Sequence, residues 1–194
     1  MSESKKPSAD KLPGNLNLPN LITILRILLV PFLLALIWQA FNSDATTRWL
    51  AVAFFIVIAA TDGVDGAIAR KRGLITNLGK ILDPVADKVL TGGTLILLSA
   101  LGAVEWWITL AIIIRELIVT VHRLMVVKNR VIAAANAGKL KTIMQLIAIG
   151  FCISPLDQFF DYRVFNLNYA LVLVALALTY YSALDYFIKA GKAK

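Results

Sequence analysis

Six apolar stretches divide the chain, and each is close to the length that crosses a lipid bilayer. They cover residues 18–41, 49–70, 83–103, 106–127, 138–155 and 168–188. A hydrocarbon core of about 30 Å is spanned by about 20 residues of α-helix. Because only a helix satisfies its backbone hydrogen bonds within one such segment, the sequence predicts an all-α integral membrane protein with six transmembrane helices. Hydrophobic residues make up 59% of the 194, more than an ordinary soluble domain carries.

The basic residues fall on one side of these segments. Most lie before the first segment, after the second and fourth, and at the end of the chain, whereas the other side keeps Arg48 and Arg163. Loops rich in lysine and arginine stay cytoplasmic. We therefore expect cytoplasmic termini, with a mobile tail over 1–16, a membrane domain over 17–188 and a basic tail over 189–194. The net charge of +8 then indicates membrane orientation and contact with anionic lipid or phosphate rather than nucleic acid.

Four carboxylates inside the apolar segments mark the candidate site. Asp62 and Asp65 are three residues apart and Asp83 and Asp87 four apart, so each pair shares one helix face. The short connection between the second and third segments would bring the pairs together. Such a cluster requires positive charge between its members. Oxygen ligands favour Mg²⁺, Mn²⁺ or Ca²⁺, and pairing with basic side chains or a proton relay is the alternative.

A basic pocket is predicted on the same side of the membrane. Arg115 and Arg123 are about two turns apart on the fourth segment, so they lie on nearly one face. Lys139 and Lys141 begin the fifth segment. Together these four side chains could bind an anionic phosphate.

These basic residues also have plainer interpretations. The two lysines could anchor the chain at the cytoplasmic surface. Arg115 could pair with Glu116 or Asp185, and Arg26 could likewise have only a structural partner. We expect Lys88 to point away from the face that carries the aspartates of the third segment.

Residues 62–87 read D-x2-D-G-x2-A-R, eight residues, then G-x3-D-x3-D. This pattern resembles the signature of the CDP-alcohol phosphotransferase family at every fixed position. The resemblance implies six transmembrane helices around a polar cavity open to the cytoplasm, in a homodimer. It implies two divalent cations, Mg²⁺ or Mn²⁺, on Asp62, Asp65, Asp83 and Asp87, with Asp87 also the general base. The residues that would line the site of the CDP-lipid are Asn20, Thr23, Gly66, Ala69, Arg70 and Gly79.

Three flanking segments narrow the resemblance to one group within the family. Residues 20–26, 115–123 and 138–142 resemble the family members that form phosphatidylglycerophosphate, although Ile114 and His122 depart from their pattern. This implies transfer of a phosphatidyl group from CDP-diacylglycerol to sn-glycerol 3-phosphate in a bacterial cytoplasmic membrane, with the site facing the cytoplasm. The residues that would bind the acceptor phosphate are Arg115, Arg123, Lys139 and Lys141.

Two alternatives stay open. The same reaction could use inositol phosphate, inositol, serine or a second phosphatidylglycerol as the acceptor. A cation- or proton-coupled transporter could use the aspartates as its ion site, although no internal repeat is visible and the carboxylates lie toward one membrane face.

Overall fold

A computed structural model describes residues 18–72, 76–126 and 136–192. Side chains are described for these residues except 18, 64–72, 77, 80, 123–126, 136–137, 159–165 and 192. Six helices make up nearly all of the described chain: α1 (Leu18–Phe41), α2 (Ala45–Arg72), α3 (Asn77–Ala100), α4 (Trp106–Val126), α5 (Asn136–Ile153) and α6 (Asp157–Lys192). No strand occurs in these ranges, so the all-α prediction is confirmed for them. The predicted tail over 1–16 lies outside the described residues.

Side-chain caps explain why α2 and α3 begin before their apolar stretches. The Asp44 carboxylate accepts hydrogen bonds from the backbone N–H (3.2 Å) and hydroxyl (2.6 Å) of Thr47, which lowers the pKa of Asp44. Thr76 has an extended backbone, and its Oγ1 accepts a bond of 3.0 Å from the N–H of Gly79. Polar residues at both positions therefore start helices that hydropathy alone does not delimit.

A tight turn makes α3 and α4 neighbours. Gly102 has a φ of +76°, a left-handed conformation that glycine adopts without a steric penalty. The two helices pack against each other, and the hydroxyls of Ser99 and Thr109 are bonded at 2.8 Å between them. The turn thus fixes the α3–α4 pair without a long connection.

The interior of the bundle is packed around α1. α1 packs on α2 and α3, and α5 packs on α6. Leu33, Ile37, Phe55, Ile108 and Ile149 are among the fully buried side chains of this core. Since lipid tails are as apolar as these side chains, close packing rather than water exclusion holds such helices together.

Large apolar side chains also cover the outside of the bundle. Phe32, Val57 and Leu184 are 68%, 60% and 62% exposed, as expected for side chains that face lipid. Within the described ranges, three segments are long and apolar enough to cross a membrane: Pro19–Phe41, Ala45–Gly63 and Asn166–Gly191. α3 and α4 are interrupted by charged residues, and α5 has 18 residues. The membrane character is therefore supported, whereas six spans and cytoplasmic termini stay predictions.

A buried arginine ties α2 to the junction of α5 and α6. Arg48 is 5% exposed; its Nε donates to the carbonyl of Ile153 (3.0 Å), and its Nη2 donates to that of Ser154 (2.5 Å). Its Nη1 lies 2.8 Å from a carboxylate oxygen of Asp157, and its guanidinium lies 4.5 Å from the ring centre of Phe41. These bonds satisfy carbonyls at the end of α5 that have no partner within the helix.

Replacing this arginine should destabilise the bundle. We expect Arg48→Ala to lower the free energy of unfolding by about 2–4 kcal/mol, because several hydrogen bonds to one buried cation are lost together. The measurement is thermal unfolding in detergent. Lys189→Ala is the control, since its ion pair with Asp185 is exposed and contributes about 0–1 kcal/mol. Equal effects of the two substitutions would contradict this structural role.

Candidate functional site

A polar stripe on α1 faces the aspartates. Asn20, Thr23 and Arg26 are spaced by three residues and are all at most 2% exposed. The Nη1 of Arg26 lies 2.5 Å from Oδ1 of Asp62, and the hydroxyl of Thr23 lies 3.0 Å from Oδ1 of Asp83. α1 therefore holds one aspartate of each predicted pair, although it supplies none of the predicted metal ligands. The partner of Arg26 is thus Asp62, which is itself one of the predicted metal ligands.

Gly79 lets α1 approach the start of α3. The Thr76 hydroxyl accepts a hydrogen bond from Nδ2 of Asn20 at 2.8 Å as well as the bond from the N–H of Gly79. A Cβ atom on Gly79 would lie 2.7 Å from Oδ1 of Asn20, which is closer than real Cβ contacts. The structure therefore gives Gly79 and Asn20 packing roles at this contact. The binding of a CDP-lipid by Asn20, Thr23 and Gly79 stays a prediction.

Asp87 lies where four helices meet. Its carboxylate is within electrostatic range of Asp62 on α2, Glu116 on α4 and Lys141 on α5. The Nζ of Lys88 lies 3.9 Å from Oδ2 of Asp87 and 3.4 Å from Oε2 of Glu116. The prediction that Lys88 points away from the aspartates is wrong for Asp87, because the long side chain of Lys88 brings its ammonium within ion-pair distance of that carboxylate.

A single carboxylate, that of Glu116, contacts two of the four residues of the predicted basic pocket. Oε1 of Glu116 lies 2.8 Å from Nη1 of Arg115 and 2.5 Å from Nζ of Lys141. Arg115 and Lys141 are 6% and 8% exposed, so neither is a simple surface anchor. The pairing of Arg115 with Glu116, one of the alternatives left open by the sequence, is confirmed. Lys139 is exposed and has no contact with this cluster among the described interactions.

Several predicted site residues fall outside the described side chains. The backbone of α2 continues through Arg72, but no side chain is described for Asp65, Gly66, Ala69 or Arg70, and the same holds for Arg123 on α4. Asp185, the other carboxylate considered for Arg115, instead pairs with Lys189 at 2.8 Å.

The described carboxylates have the donor atoms that a hard divalent cation prefers. Asp62, Asp83 and Asp87 offer only oxygen donors, and the Asp62 side chain is 56% exposed, so its second oxygen can accept a ligand. Among the described side chains no three potential ligands lie close enough to hold a metal ion together, and Asp65 is not among them. The predicted two-metal centre therefore stays a prediction.

The central role of Glu116 was missed by the sequence interpretation. An acidic residue beside an arginine in an apolar segment was the available signal, and it predicted only a local pair. The contact with Lys141 joins residues 25 positions apart, and that with Lys88 joins residues 28 apart. Only the packing of α3, α4 and α5 brings these side chains together.

Comparison with known proteins places the chain among lipid-modifying enzymes. A family model described as CDP-alcohol phosphatidyltransferase matches residues 16–181. The chain is 41% identical to a "Probable phosphatidylglycerophosphate synthase" of Mycobacterium tuberculosis, over 96% of this chain and 89% of the relative. It is similar to proteins named "CDP-diacylglycerol--glycerol-3-phosphate 3-phosphatidyltransferase" from Bacillus subtilis (35%; 91% of this chain and 96% of the relative) and Escherichia coli K12 (33%; 88% and 92%).

The contact at Gly79 gives a direct test of how closely α1 must approach α3. We expect Gly79→Ala to lower the free energy of unfolding by about 1–3 kcal/mol, because the added methyl group displaces Asn20 from Thr76. Gly92→Ala in the same helix is the matched control, since nothing lies within 4 Å of its Cβ position. Thermal unfolding of both variants in detergent is the measurement. A loss of stability at Gly92 as large as that at Gly79 would contradict the steric argument.

Proposed function

From the premise that the chain belongs to the CDP-alcohol phosphatidyltransferase family, we propose that it transfers the phosphatidyl group of CDP-diacylglycerol to sn-glycerol 3-phosphate. The products are phosphatidylglycerophosphate and CMP. The relatives' names support this reaction, since the chain spans about nine-tenths of their length or more. The observation that carries the proposal is the meeting of Asp87 with a buried basic cluster at the junction of α3, α4 and α5.

The basic cluster is where we place the acceptor. A phosphate monoester carries nearly two negative charges at neutral pH and is bound by arginine and lysine donors. Arg115 and Lys141 supply such donors from two helices, and both are almost fully buried. Arg123 and Lys139 complete the proposed acceptor set at the same end of α4 and α5. A phosphate bound there would bring the hydroxyl end of the acceptor toward Asp87.

The aspartates are where we place the donor. Asp62, Asp65, Asp83 and Asp87 would hold two divalent cations, Mg²⁺ or Mn²⁺. When bound, these ions neutralise the diphosphate and polarise the phosphorus that is attacked. The side chains and backbone that would line the CDP-lipid belong to Asn20, Thr23, Gly66, Ala69, Arg70 and Gly79.

Asp87 acts as the general base in this proposal. Its carboxylate takes the proton of the primary hydroxyl of glycerol 3-phosphate. The hydroxyl oxygen then forms a bond to the phosphorus next to diacylglycerol. The bond from that phosphorus to the oxygen of CMP breaks, and CMP leaves with the electron pair. Arg70 would donate hydrogen bonds to the diphosphate.

The membrane arrangement follows the same reasoning. We place six spans in a bacterial cytoplasmic membrane, with both termini and the polar cavity on the cytoplasmic side. The water-soluble acceptor would then reach the cavity from the cytoplasm. The support is the bias of lysine and arginine toward one side together with three strongly apolar helices. The homodimer rests on the family resemblance alone.

The acceptor can be tested directly. We expect the purified protein with CDP-diacylglycerol and Mg²⁺ or Mn²⁺ to release CMP when glycerol 3-phosphate is added. The release should stop when EDTA removes the metal ions. Inositol phosphate, inositol and serine are assayed in parallel. Release with inositol phosphate instead would keep the reaction and replace the acceptor, because the basic cluster suits either phosphate. If no acceptor leads to release of CMP, the proposed enzymatic activity is contradicted and the transporter hypothesis becomes the one to test.

The general base has its own test. We expect Asp87→Asn to lower kcat at least about a hundredfold, since an amide cannot accept the acceptor's proton. Binding of the CDP-lipid, measured separately, should be largely retained. Asp185→Asn is the control, because that aspartate pairs only with exposed Lys189 among the described contacts. Turnover of Asp87→Asn close to that of the unmodified protein would remove Asp87 from this role.

A further inference from the structure

Glu116 has an unusual number of cationic neighbours for one carboxylate. Arg115 and Lys141 both lie on its Oε1, and Lys88 lies 3.4 Å from its Oε2. These three cations come from α4, α5 and α3 respectively. The Glu116 side chain is 14% exposed and those of Arg115 and Lys141 are 7% and 10% exposed, so water screens little of the interaction.

The cations cannot converge in this way without the carboxylate. Arg115 and Lys141 contact the same oxygen, so their charged nitrogens lie close together and repel each other. Removing the counter-charge from a buried ion pair leaves a desolvated charge without compensation. Without Glu116, the cations would separate toward solvent, and the cluster would be lost.

The charge of the cluster suits a phosphate monoester. Three cations and two carboxylates, Glu116 and Asp87, leave a net charge of about +1, which attracts a phosphate monoester with its nearly two negative charges at neutral pH. Lys88 is the member nearest the proposed base, since its Nζ lies 3.9 Å from Oδ2 of Asp87. A cavity of about 170 Å³ beside the cluster is lined in part by Lys88, Glu116 and Gln145.

We infer that Glu116 is the positioning residue of the acceptor pocket, and that it holds Lys88 as a further cation for the acceptor's phosphate. This inference rests on the proposed function, because it takes the pocket to bind glycerol 3-phosphate. Glu116 itself does not touch the reacting atoms. It arranges the side chains that bind the phosphate, and through Lys88 it sets their position relative to Asp87.

The experiment separates acceptor binding from donor binding. We expect Glu116→Gln to raise the KM for glycerol 3-phosphate about tenfold or more, as the loss of one charge-assisted contact does, and to leave the KM for CDP-diacylglycerol within about twofold. Glu116→Asp should recover part of the acceptor affinity. Glu105→Gln is the matched control, because Glu105 is exposed at the turn between α3 and α4.

Two further measurements keep the test decisive. Equilibrium binding of glycerol 3-phosphate to the purified protein should weaken in parallel with KM. If Glu116→Gln does not fold, Lys88→Met, which removes one cation and keeps the carboxylate, should still raise the acceptor KM severalfold. An unchanged or lowered acceptor KM in the folded variants would overturn the inference, and so would an equal rise for both substrates, which is what a purely structural ion pair gives.

Failure of this inference is distinguishable from failure of the proposed function. If the unmodified protein releases no CMP with glycerol 3-phosphate, the proposed function fails. If it does so, and Glu116→Gln keeps the same acceptor KM and binding, only the role of Glu116 is lost.

Discussion

Charge that is carried into a bilayer is stabilised by opposite charge, and the packing of this bundle follows that constraint. Arg26 of α1 meets Asp62 of α2, and Glu116 of α4 gathers cations from α3 and α5. Arg48 of α2 meets Asp157 at the junction of α5 and α6. Close packing holds such helices together, and polar contacts between them add to it. These contacts therefore help to determine which helices are neighbours.

The two ends of the bundle use charge differently. Around Arg48 the guanidinium nitrogens donate to carbonyls and to both oxygens of the Asp157 carboxylate, so the arginine has a structural role at this end. At the other end, Asp62 is bonded through one oxygen and more than half exposed, and Asp83 is exposed as well. Partly satisfied carboxylates beside buried cations retain capacity for a ligand. This contrast is a stronger argument for a site among the aspartates than the presence of charged residues alone.

The sequence predicts the type of the described helices because each apolar stretch is long enough to form one, even where α3 and α4 carry charged residues. Helix starts are less predictable from hydropathy, since Asp44 and Thr76 begin helices in polar sequence. Within the site, contacts between neighbours along one helix are accessible to sequence reasoning, since the pair of Arg115 with Glu116 was among the alternatives left open. The path of a long side chain such as Lys88, and contacts between distant segments such as Glu116 with Lys141, depend on tertiary packing. A single sequence carries no signal for them.

The polar stripe of α1 has a consequence for the proposed rate enhancement. Its bonds to Asp62 and Asp83 are contacts within the folded chain itself. Carboxylates on flexible side chains would otherwise lose rotational freedom as the substrates bind, and that entropy would add to the barrier. In this fold the contacts with α1 restrict the two side chains in advance. α1 can thus contribute to turnover through preorganisation while supplying none of the predicted ligands or the predicted base.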